Sequence, residues 1–356
     1  MPVTKGRGAL DNPHNRYAPL RVESCEASDG DDLDPSSPVT ECRPVRARSI
    51  IASNASPDVP FERSINPYQG CEHGCIYCYA RPSHAYLDLS PGVDFETRLT
   101  YKENAAQQLE LELCRSRYRC QPITLGANTD PYQPVERRYR ITRQVLEVLQ
   151  RCRHPVSLIT KGNLVTRDID ILADLAADGL CSVAISVTTL DAQLKRKLEP
   201  RAASGKARLG AMQALAEAGV PVTLLFAPVI PALNDHEMER IVGAAADQGA
   251  VDAAYILLRL PLEIGGMFQD WLQAHYPMRA DHVMSLVRQC RDGNTNDSRF
   301  GYRMRGTGQF ADLLNQRFKL ACRKAGLRSR EGPRLRTDLF SPQLLSQHSG
   351  QMTLFT

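Results

Sequence analysis

The sequence predicts an α/β protein built around an open, partial (β/α) barrel. Short runs of aliphatic and β-branched residues, bounded by turn residues, have the form of buried strands. Between them lie stretches in which apolar residues recur at three- and four-residue spacing, as on the core-facing side of a helix. Hydrophobic strands that alternate with helices indicate a parallel sheet. The pattern repeats about six times, which is fewer than the eight units of a closed barrel.

The predicted strands follow one another at intervals of helical length. The first, RSINPYQ, precedes a group of cysteines. The five later strands are predicted at 122–127, 155–160, 181–187, 221–227 and 253–261. The helical patterns occupy 102–116, 137–152, 167–179, 207–219 and 235–249. In such folds the loops at the carboxyl ends of the strands carry the site, so we expect the functional residues there.

Three regions are predicted from composition. Residues 1–56 form a largely flexible, mostly disordered N-terminal extension, because the segment ESCEASDGDDLDPSSPVTEC is rich in Asp, Ser and Pro and buries little apolar surface. Residues 57–290 form the barrel core. Residues 291–356 form a basic C-terminal extension with a small helical part, where NQRFKLACRKAGL has amphipathic spacing.

The composition is that of a globular protein with reduced thiols. Of the 356 residues, 42% are hydrophobic and 24% are charged, which is enough to form a sizeable core. No apolar run approaches the ~18 residues that a membrane span needs, and the first residues lack the apolar stretch of a signal peptide. We therefore expect a cytoplasmic protein without membrane contact. Eleven cysteines in that setting favour metal-bound or reactive thiols over disulfides.

The segment NPYQGCEHGCIYCYARP places three cysteines, Cys71, Cys75 and Cys78, within eight positions. Structural zinc prefers four ligands, and this spacing is not a usual zinc pattern. A redox pair of Cys75 and Cys78 would leave Cys71 without a purpose. A [4Fe–4S] cluster accounts for the count better, because its irons normally take four thiolates and three cysteines leave one iron open to a small molecule. Gly74 allows the loop to bend around such a cluster.

These residues resemble the signature of the radical S-adenosylmethionine (SAM) superfamily. CEHGCIYC matches its pattern of three cysteines with an aromatic residue before the last, and Tyr77 takes the aromatic position beside the adenine. The resemblance implies a partial (β/α)6, TIM-like barrel, with a [4Fe–4S] cluster on Cys71, Cys75 and Cys78 and SAM as cofactors. It implies an enzyme in which the reduced cluster cleaves SAM to a 5′-deoxyadenosyl radical that abstracts hydrogen from a substrate. The implied electron donor is a protein such as flavodoxin or ferredoxin.

Within the superfamily, the chain resembles the spore photoproduct lyase-like branch, also described as DNA repair photolyase-like. The residues that carry this resemblance are SINPYQGCEHGCIYCYAR, LGANTDPYQPVE, SVTTLD and KLEPRA. Spore photoproduct lyase uses an additional cysteine near the end of its second strand as a hydrogen donor. Ala127 occupies that place here, and no cysteine lies between Cys120 and Cys152. This departure argues against that particular reaction, and the branch alone does not fix the substrate.

The resemblance also suggests contacts to SAM at the strand ends. Asn128 follows the second strand, where superfamily members hold the methionine amino group, although N-T-D-P is equally strong turn chemistry. Lys161 ends the third strand and would pair with the SAM carboxylate, or is an exposed loop lysine. Ser186 ends the fourth strand and would contact the ribose or carboxylate, or cap a turn. Glu199 and Arg201 would hold the carboxylate or ribose, or form a surface ion pair.

The C-terminal extension makes nucleic acid a candidate partner. Between residues 299 and 336 there are eleven basic side chains, opposed by Asp312 and Glu331. Such a segment beside a radical site would suit a phosphate backbone, whereas the alternative is the solvated face of an amphipathic helix. A radical SAM enzyme acting on a small molecule or peptide is the second hypothesis. A non-enzymatic module stabilised by zinc or a cluster is the third.

Overall fold

A computed structural model describes residues 5–17, 38–329 and 334–346. The strands are β1 (Glu41–Val45), β2 (Ala52–Ser53), β3 (Arg63–Ile65), β4 (Tyr68–Gln69), β5 (Arg98–Lys102), β6 (Ile123–Leu125), β7 (Val156–Thr160), β8 (Cys181–Ser186), β9 (Val222–Val229), β10 (Asp252–Leu257) and β11 (Arg328–Ser329). The α-helices are α1 (Asp94–Thr97), α2 (Ala105–Leu113), α3 (Glu136–Tyr139), α4 (Ile141–Arg151), α5 (Ile169–Ala177), α6 (Ala192–Leu198), α7 (Gly205–Glu217), α8 (Met238–Asp247), α9 (Ile264–His275), α10 (Pro277–Gln289), α11 (Gln309–Lys324) and α12 (Gln343–Ser346). Short 3-10 helices cover Arg81–Leu87, Asn163–Asp168 and Asp235–Glu237.

The larger sheet confirms the predicted fold class. Its eight strands run in the order β11-β10-β9-β8-β7-β6-β3-β2. Every neighbouring pair from β3 to β10 is parallel, which gives the six parallel strands of a partial barrel. The strand β11 adds in parallel at one edge, and β2 adds antiparallel at the other. Within the part of the chain that the structure describes, the strand order ends at these two edges, so the barrel is open.

Burial explains why these segments become strands and helices. Side chains along β7 alternate between buried and partly buried positions, as expected for a strand with one face against the core. The helices α4, α5, α7 and α8 each contribute a fully buried aliphatic side chain to the same core: Leu146, Leu172, Leu215 and Ile241. Their apolar spacing in the sequence therefore marks the face that covers the sheet.

Parts of the predicted N-terminal extension belong to this fold. Strand β1 pairs in parallel with β5, and β4 pairs antiparallel with the other side of β5, which forms a second, three-stranded sheet. Residues 5–17 lie against the loop that carries Cys71, Cys75 and Cys78, which we call the cysteine loop. Residues 5–17 and 38–56 of the predicted extension are among the described residues, and the rest of the extension lies outside them.

The C-terminal region contains α11 and α12 and reaches both ends of the barrel. Segment 299–306 returns to the sheet, where Leu257 N at the end of β10 donates to Met304 O at 2.9 Å. Residues 334–346 lie at the opposite end, before β7 and β8 begin. There Arg336 N donates to Gly179 O at 3.0 Å, and Ser341 N donates to Cys152 O at 3.0 Å.

Within the described ranges, no helix combines the length and apolar character needed to cross a bilayer.

Candidate active site

A cavity of about 450 Å³ opens at the carboxyl ends of the parallel strands. The cavity thus lies where the functional residues of such a fold are expected. Its walls come from the cysteine loop, from the ends of β6 to β10 and from two loops at the open side of the barrel. The polar and reactive side chains among its lining residues are Asn54, Ser56, Ser64, Asn66, Cys71, His73, Cys75, Tyr77, Cys78, Tyr79, Asn128, Asp130, Thr160, Lys161, Ser186, Arg259 and Arg303.

All three cysteines of the loop line this cavity. Cys71 and Cys75 are each 7% exposed, and Cys78 is partly buried. None of the three forms a disulfide. The loop is tied to the protein on two sides, because Cys71 N donates to Phe95 O at 2.9 Å and Ile76 N donates to Leu198 O at 3.1 Å.

Gly74 has to be glycine for this loop to form. Its φ of +68° lies in the left-handed region, which residues with a Cβ rarely adopt. A Cβ placed there would also lie 2.7 Å from Glu96 Oε2, a fully buried carboxylate. The sequence prediction that Gly74 is needed for the bend is consistent with both observations.

The three thiols fit a [4Fe–4S] cluster. Burial raises the pKa of Cys71, Cys75 and Cys78, so the neutral thiols are favoured when no metal is bound. Bound iron would supply the positive charge that stabilises the thiolates. Among the described residues, no three His, Cys, Asp or Glu side chains converge on one point as for a single metal ion. A cluster does not require such convergence, because each cysteine ligates a different iron.

The segment that contains Glu199 and Arg201 packs against the cysteine loop on the side away from the cavity. Arg201 N donates to His73 O at 3.2 Å, and the Arg201 guanidinium pairs with Glu72 at 2.6 Å. Glu199 and Arg201 do not line the cavity. Their predicted contact with SAM therefore stays a prediction, and the structure gives Arg201 a different set of partners.

Lys161 directly follows β7 and presents a cation to the cavity. Its Nζ donates to Ser186 Oγ at 2.8 Å, to Ala227 O at 2.9 Å and to Thr188 Oγ1 at 3.2 Å. Glu199 Oε1 lies 3.3 Å away. Lys161 is therefore fixed at the ends of β7, β8 and β9, at the place where the sequence predicted a cation for the SAM carboxylate.

Glu199 shares its charge between two cations. Its fully buried carboxylate accepts hydrogen bonds from Arg208, from the Tyr77 hydroxyl and from Thr188 Oγ1. Burial alone would raise the pKa of Glu199, but Arg208 and Lys161 hold it well below its usual value. One negative charge thus faces two positive charges, and the excess positive charge suits a bound carboxylate.

The other predicted SAM contacts also reach the cavity. Tyr77 is 7% exposed, and its ring centre lies 5.7 Å from Lys161 Nζ. Ser186 stands at the end of β8 and donates to Ala227 O at 3.2 Å. Asn128 lines the cavity in a turn whose backbone is capped by Asn66, since Asn128 N donates to Asn66 Oδ1 at 3.0 Å. The turn and the binding interpretations of Asn128 are therefore compatible.

Sequence reasoning missed a buried pair between the cysteine loop and the barrel. His73 Nδ1 lies 3.3 Å from Asp130 Oδ2, and both residues line the cavity. Asp130 also accepts from Thr160 Oγ1 at 2.6 Å and from Lys161 N at 2.7 Å. Burial would raise the pKa of Asp130, but His73 and the hydrogen-bond donors lower it. The position of Asp130 after the second predicted strand was the available signal.

The basic C-terminal side chains are dispersed rather than gathered at the cavity. Arg317 pairs with Glu239 at 2.8 Å, and Arg336 pairs with Asp338 at 2.7 Å near the other end of the barrel. Among the described basic residues of this segment, Arg303 is the one that lines the cavity.

The open barrel carries three free cysteines and the fixed cation of Lys161 around one cavity. These features are those of a protein that binds a reactive cofactor. Comparison with known proteins assigns the family: the model described as the radical SAM superfamily matches residues 65–245. The chain belongs to the radical SAM superfamily. It is an enzyme of the class that uses a [4Fe–4S] cluster and SAM as cofactors, which confirms the predicted family and cofactors.

The chain is similar to proteins of distant organisms. An uncharacterised protein of Mycobacterium tuberculosis is 36% identical over 233 residues, which cover 65% of this chain and 68% of the relative. One of Methanocaldococcus jannaschii is 27% identical over 233 residues, which cover 65% and 83%. A spore photoproduct lyase mutant with bound AdoMet and dinucleoside spore photoproduct has a TM-score of 0.58 at 16% identity, covering 82% of this chain and 81% of that chain. The fold is thus spore photoproduct lyase-like, as predicted.

Proposed function

We propose that this chain holds its [4Fe–4S] cluster through Cys71, Cys75 and Cys78 and cleaves bound SAM reductively. The observation that carries the proposal is that the three cysteines line one cavity together with Lys161. When bound, the reduced cluster supplies the electron that cleaves SAM, and the 5′-deoxyadenosyl radical from SAM abstracts hydrogen from the substrate. Flavodoxin or ferredoxin is the electron donor expected for such a cluster.

The residues of the chain bind and orient SAM. Lys161 and Ser186 bind the carboxylate, which the excess positive charge around Lys161 favours. Asn128 holds the amino group, and Tyr77 forms the wall beside the adenine. Glu199 fixes the positions of Lys161 and Tyr77 through the contacts described above, and so acts on SAM through them.

Formation of 5′-deoxyadenosine tests this proposal. The protein is reconstituted anaerobically with iron and sulfide, reduced, and mixed with SAM. We expect 5′-deoxyadenosine from the wild type and none from a variant with Cys71→Ala, Cys75→Ala and Cys78→Ala. Cys114→Ala is the matched control, because Cys114 is an exposed thiol outside the cavity. Stoichiometric zinc without iron in the purified protein would contradict the proposal and favour a non-enzymatic module.

The substrate is proposed at the level of two classes. A small molecule or peptide is supported by the basic C-terminal side chains that pair with acids elsewhere, as Arg317 does with Glu239 and Arg336 with Asp338. Nucleic acid is supported by the basic C-terminal segment, of which Arg303 reaches the cavity.

Salt dependence separates the two classes. Binding of labelled single-stranded DNA and RNA is measured at several salt concentrations. A nucleic-acid substrate requires affinity that falls roughly linearly on a logarithmic scale as salt rises, because counterions are released on binding. The absence of binding at low salt would exclude nucleic acid and leave the small-molecule class.

A further inference from the structure

One wall of the cavity carries a guanidinium without an acidic partner. Arg259 lies two residues beyond β10, and within the described residues its guanidinium donates one hydrogen bond, from Nη1 to the weak acceptor Met304 Sδ at 3.4 Å. Its buried Nε has no hydrogen-bond partner among the residues that the structure describes. Within the described part of the chain, no carboxylate forms an ion pair with it. Its guanidinium stands over the Tyr79 ring at 5.4 Å, which fixes the side chain without neutralising its charge.

Two neighbouring arginines increase the positive charge at this wall. Arg303 lines the same cavity and pairs with Asp58. Arg291 is 1% exposed, and its guanidinium donates to the main-chain oxygens of four residues, Leu257, Leu258, Tyr302 and Arg303. Three arginines therefore meet where segment 299–306 joins the end of β10, with two carboxylates nearby: Asp58 pairs with Arg303, and Asp297 is close enough to act on the charge of Arg291.

Among the described residues, no ion pair offsets the desolvation of Arg259. Burial and the charge of Arg303 lower the pKa of Arg259, and burial with the charge of Arg259 lowers that of Arg291 to about 10. A buried cation without a counter-charge is costly, and such groups occur where a ligand supplies the missing charge. Arg291 is enclosed by main-chain oxygens, so Arg259 is the cation that remains open to the cavity.

This wall lies at the open side of the barrel. Segment 299–306 spans from the edge of β10 to the loop before β3, because Arg303 bonds to Asp58 and Ser56 of that loop. Ser56 and Arg303 both line the cavity. Arg259 and Arg303 therefore both line the cavity at this side of the barrel.

We propose that Arg259, together with Arg303, binds an oxyanion of the substrate, either a phosphate or a carboxylate. Arginine is suited to this role because its planar guanidinium donates two parallel hydrogen bonds to such groups. The proposal rests on the proposed function, since it names the chemistry of the substrate of the same cavity. It holds for a nucleotide and for an acidic small molecule alike, and the two probes below distinguish these sources.

Anion binding to the reconstituted, SAM-loaded protein tests the proposal. Isothermal titration at constant ionic strength uses inorganic phosphate as one probe and acetate as the other. We expect saturable binding of at least one of them to the wild type. Arg259→Gln should weaken that binding at least tenfold. Arg259→Lys keeps the charge but not the paired donors, so its anion affinity should lie between those of the wild type and Arg259→Gln. Arg279→Gln is the matched control, because Arg279 is exposed on α10 outside the cavity.

The probes and variants give distinct results. Preference for phosphate indicates a phosphorylated substrate, and preference for acetate indicates a carboxylate. Binding of neither probe by the wild type, or equal binding by Arg259→Gln, would overturn the proposal. So would a variant that loses SAM affinity while anion binding persists, because Arg259 would then serve SAM. Failure of the proposed function appears separately, as absent SAM cleavage in a protein that still binds the anion through Arg259.

Discussion

At the scale of single residues, Lys161 is the most informative one for the proposed binding of SAM in this cavity. Its ammonium is fixed by Ser186 and Ala227, and it shares Glu199 with Arg208. A ligand carboxylate can therefore bind Lys161 without competing against a dedicated ion pair. Lys161 is therefore a proposed binding residue for the SAM carboxylate that substitution can test.

Lys161→Met should weaken SAM binding by about 10- to 100-fold, because a hydrogen bond to a charged group contributes about 1.5–3 kcal/mol. The affinity is measured on the reconstituted, unreduced protein, where no cleavage occurs. Lys206→Met is the control, since Lys206 is an exposed lysine of α7. Unchanged SAM affinity in a folded Lys161→Met protein would mean that the SAM carboxylate binds elsewhere.

Gly74→Ala should reduce iron incorporation and destabilise the protein by about 1–2 kcal/mol, which is the usual cost of a left-handed conformation for a residue with a Cβ. The contact with Glu96 adds to that cost. Iron per chain and the free energy of unfolding are both measured. Gly210→Ala is the control, because Gly210 lies in α7 with no atom near its added Cβ, and it should gain up to about 1 kcal/mol. A Gly74→Ala protein with full iron content would contradict the strain argument.

At the scale of elements, the barrel strands were predictable and the segments that complete the site were not. The strands β6 to β10 are short hydrophobic runs. A parallel strand that is covered on both faces of its sheet needs such a run, so the sequence alone indicates it. Residues 5–17 are held in place by Glu96, which lies far away in the chain and accepts hydrogen bonds from Gly8 N at 3.0 Å and Ala9 N at 2.8 Å. Local composition cannot reveal a contact of that kind.

The same reason explains which site residues were found. Cys71, Cys75 and Cys78 stand close together in sequence, and Lys161 stands at a strand end, so pattern and position indicated them. Arg259 becomes notable only when segment 299–306 folds back onto β10 and leaves it without an acid. Such an absence is a property of packing and not of sequence.

The N-terminal segment predicts a second element-scale effect. Gly8 packs so closely on the cysteine loop that an added Cβ would lie 1.8 Å from Gly74 O. Gly8→Ala should therefore displace residues 5–17 and speed the loss of iron from the reconstituted protein under a chelator. Lys5→Ala, at an exposed position of the same segment, should lose iron at the wild-type rate. Equal rates for all three proteins would show that this segment does not shield the cluster.

At the scale of the whole molecule, His154 and residues 334–346 cover the end of the barrel where β7 and β8 begin. His154 is buried between Tyr118, whose hydroxyl is 2.7 Å from its Nε2, and Pro155 O, which is 2.9 Å from its Nδ1. Phe340 packs edge-on against the ring at 5.1 Å. Both ring nitrogens are engaged as in a neutral imidazole, so protonation is disfavoured in the folded protein.

This histidine makes stability depend on pH. Burial lowers the pKa of His154 to about 4, whereas the unfolded value is about 6.5. Between these values the unfolded chain binds a proton that the folded chain does not. The free energy of unfolding should therefore fall as the pH falls from about 6.5 towards 4, by up to about 3 kcal/mol.

Urea unfolding at pH 7.5 and pH 5 measures this effect. His154→Gln should show a smaller loss of stability at the lower pH than the wild type. His282→Gln, at an exposed position of α10, should behave as the wild type. The same loss in all three proteins would assign the acid sensitivity to other groups.

The most direct test of the central claim is the electron paramagnetic resonance spectrum of the reduced, reconstituted protein before and after addition of SAM. If three cysteines leave one iron open, the wild type should show a reduced [4Fe–4S] signal that changes when SAM binds. Cys114→Ala should behave in the same way, and Cys78→Ala should lose the signal. A cluster signal that is insensitive to SAM, or one that persists without Cys78, would contradict the account.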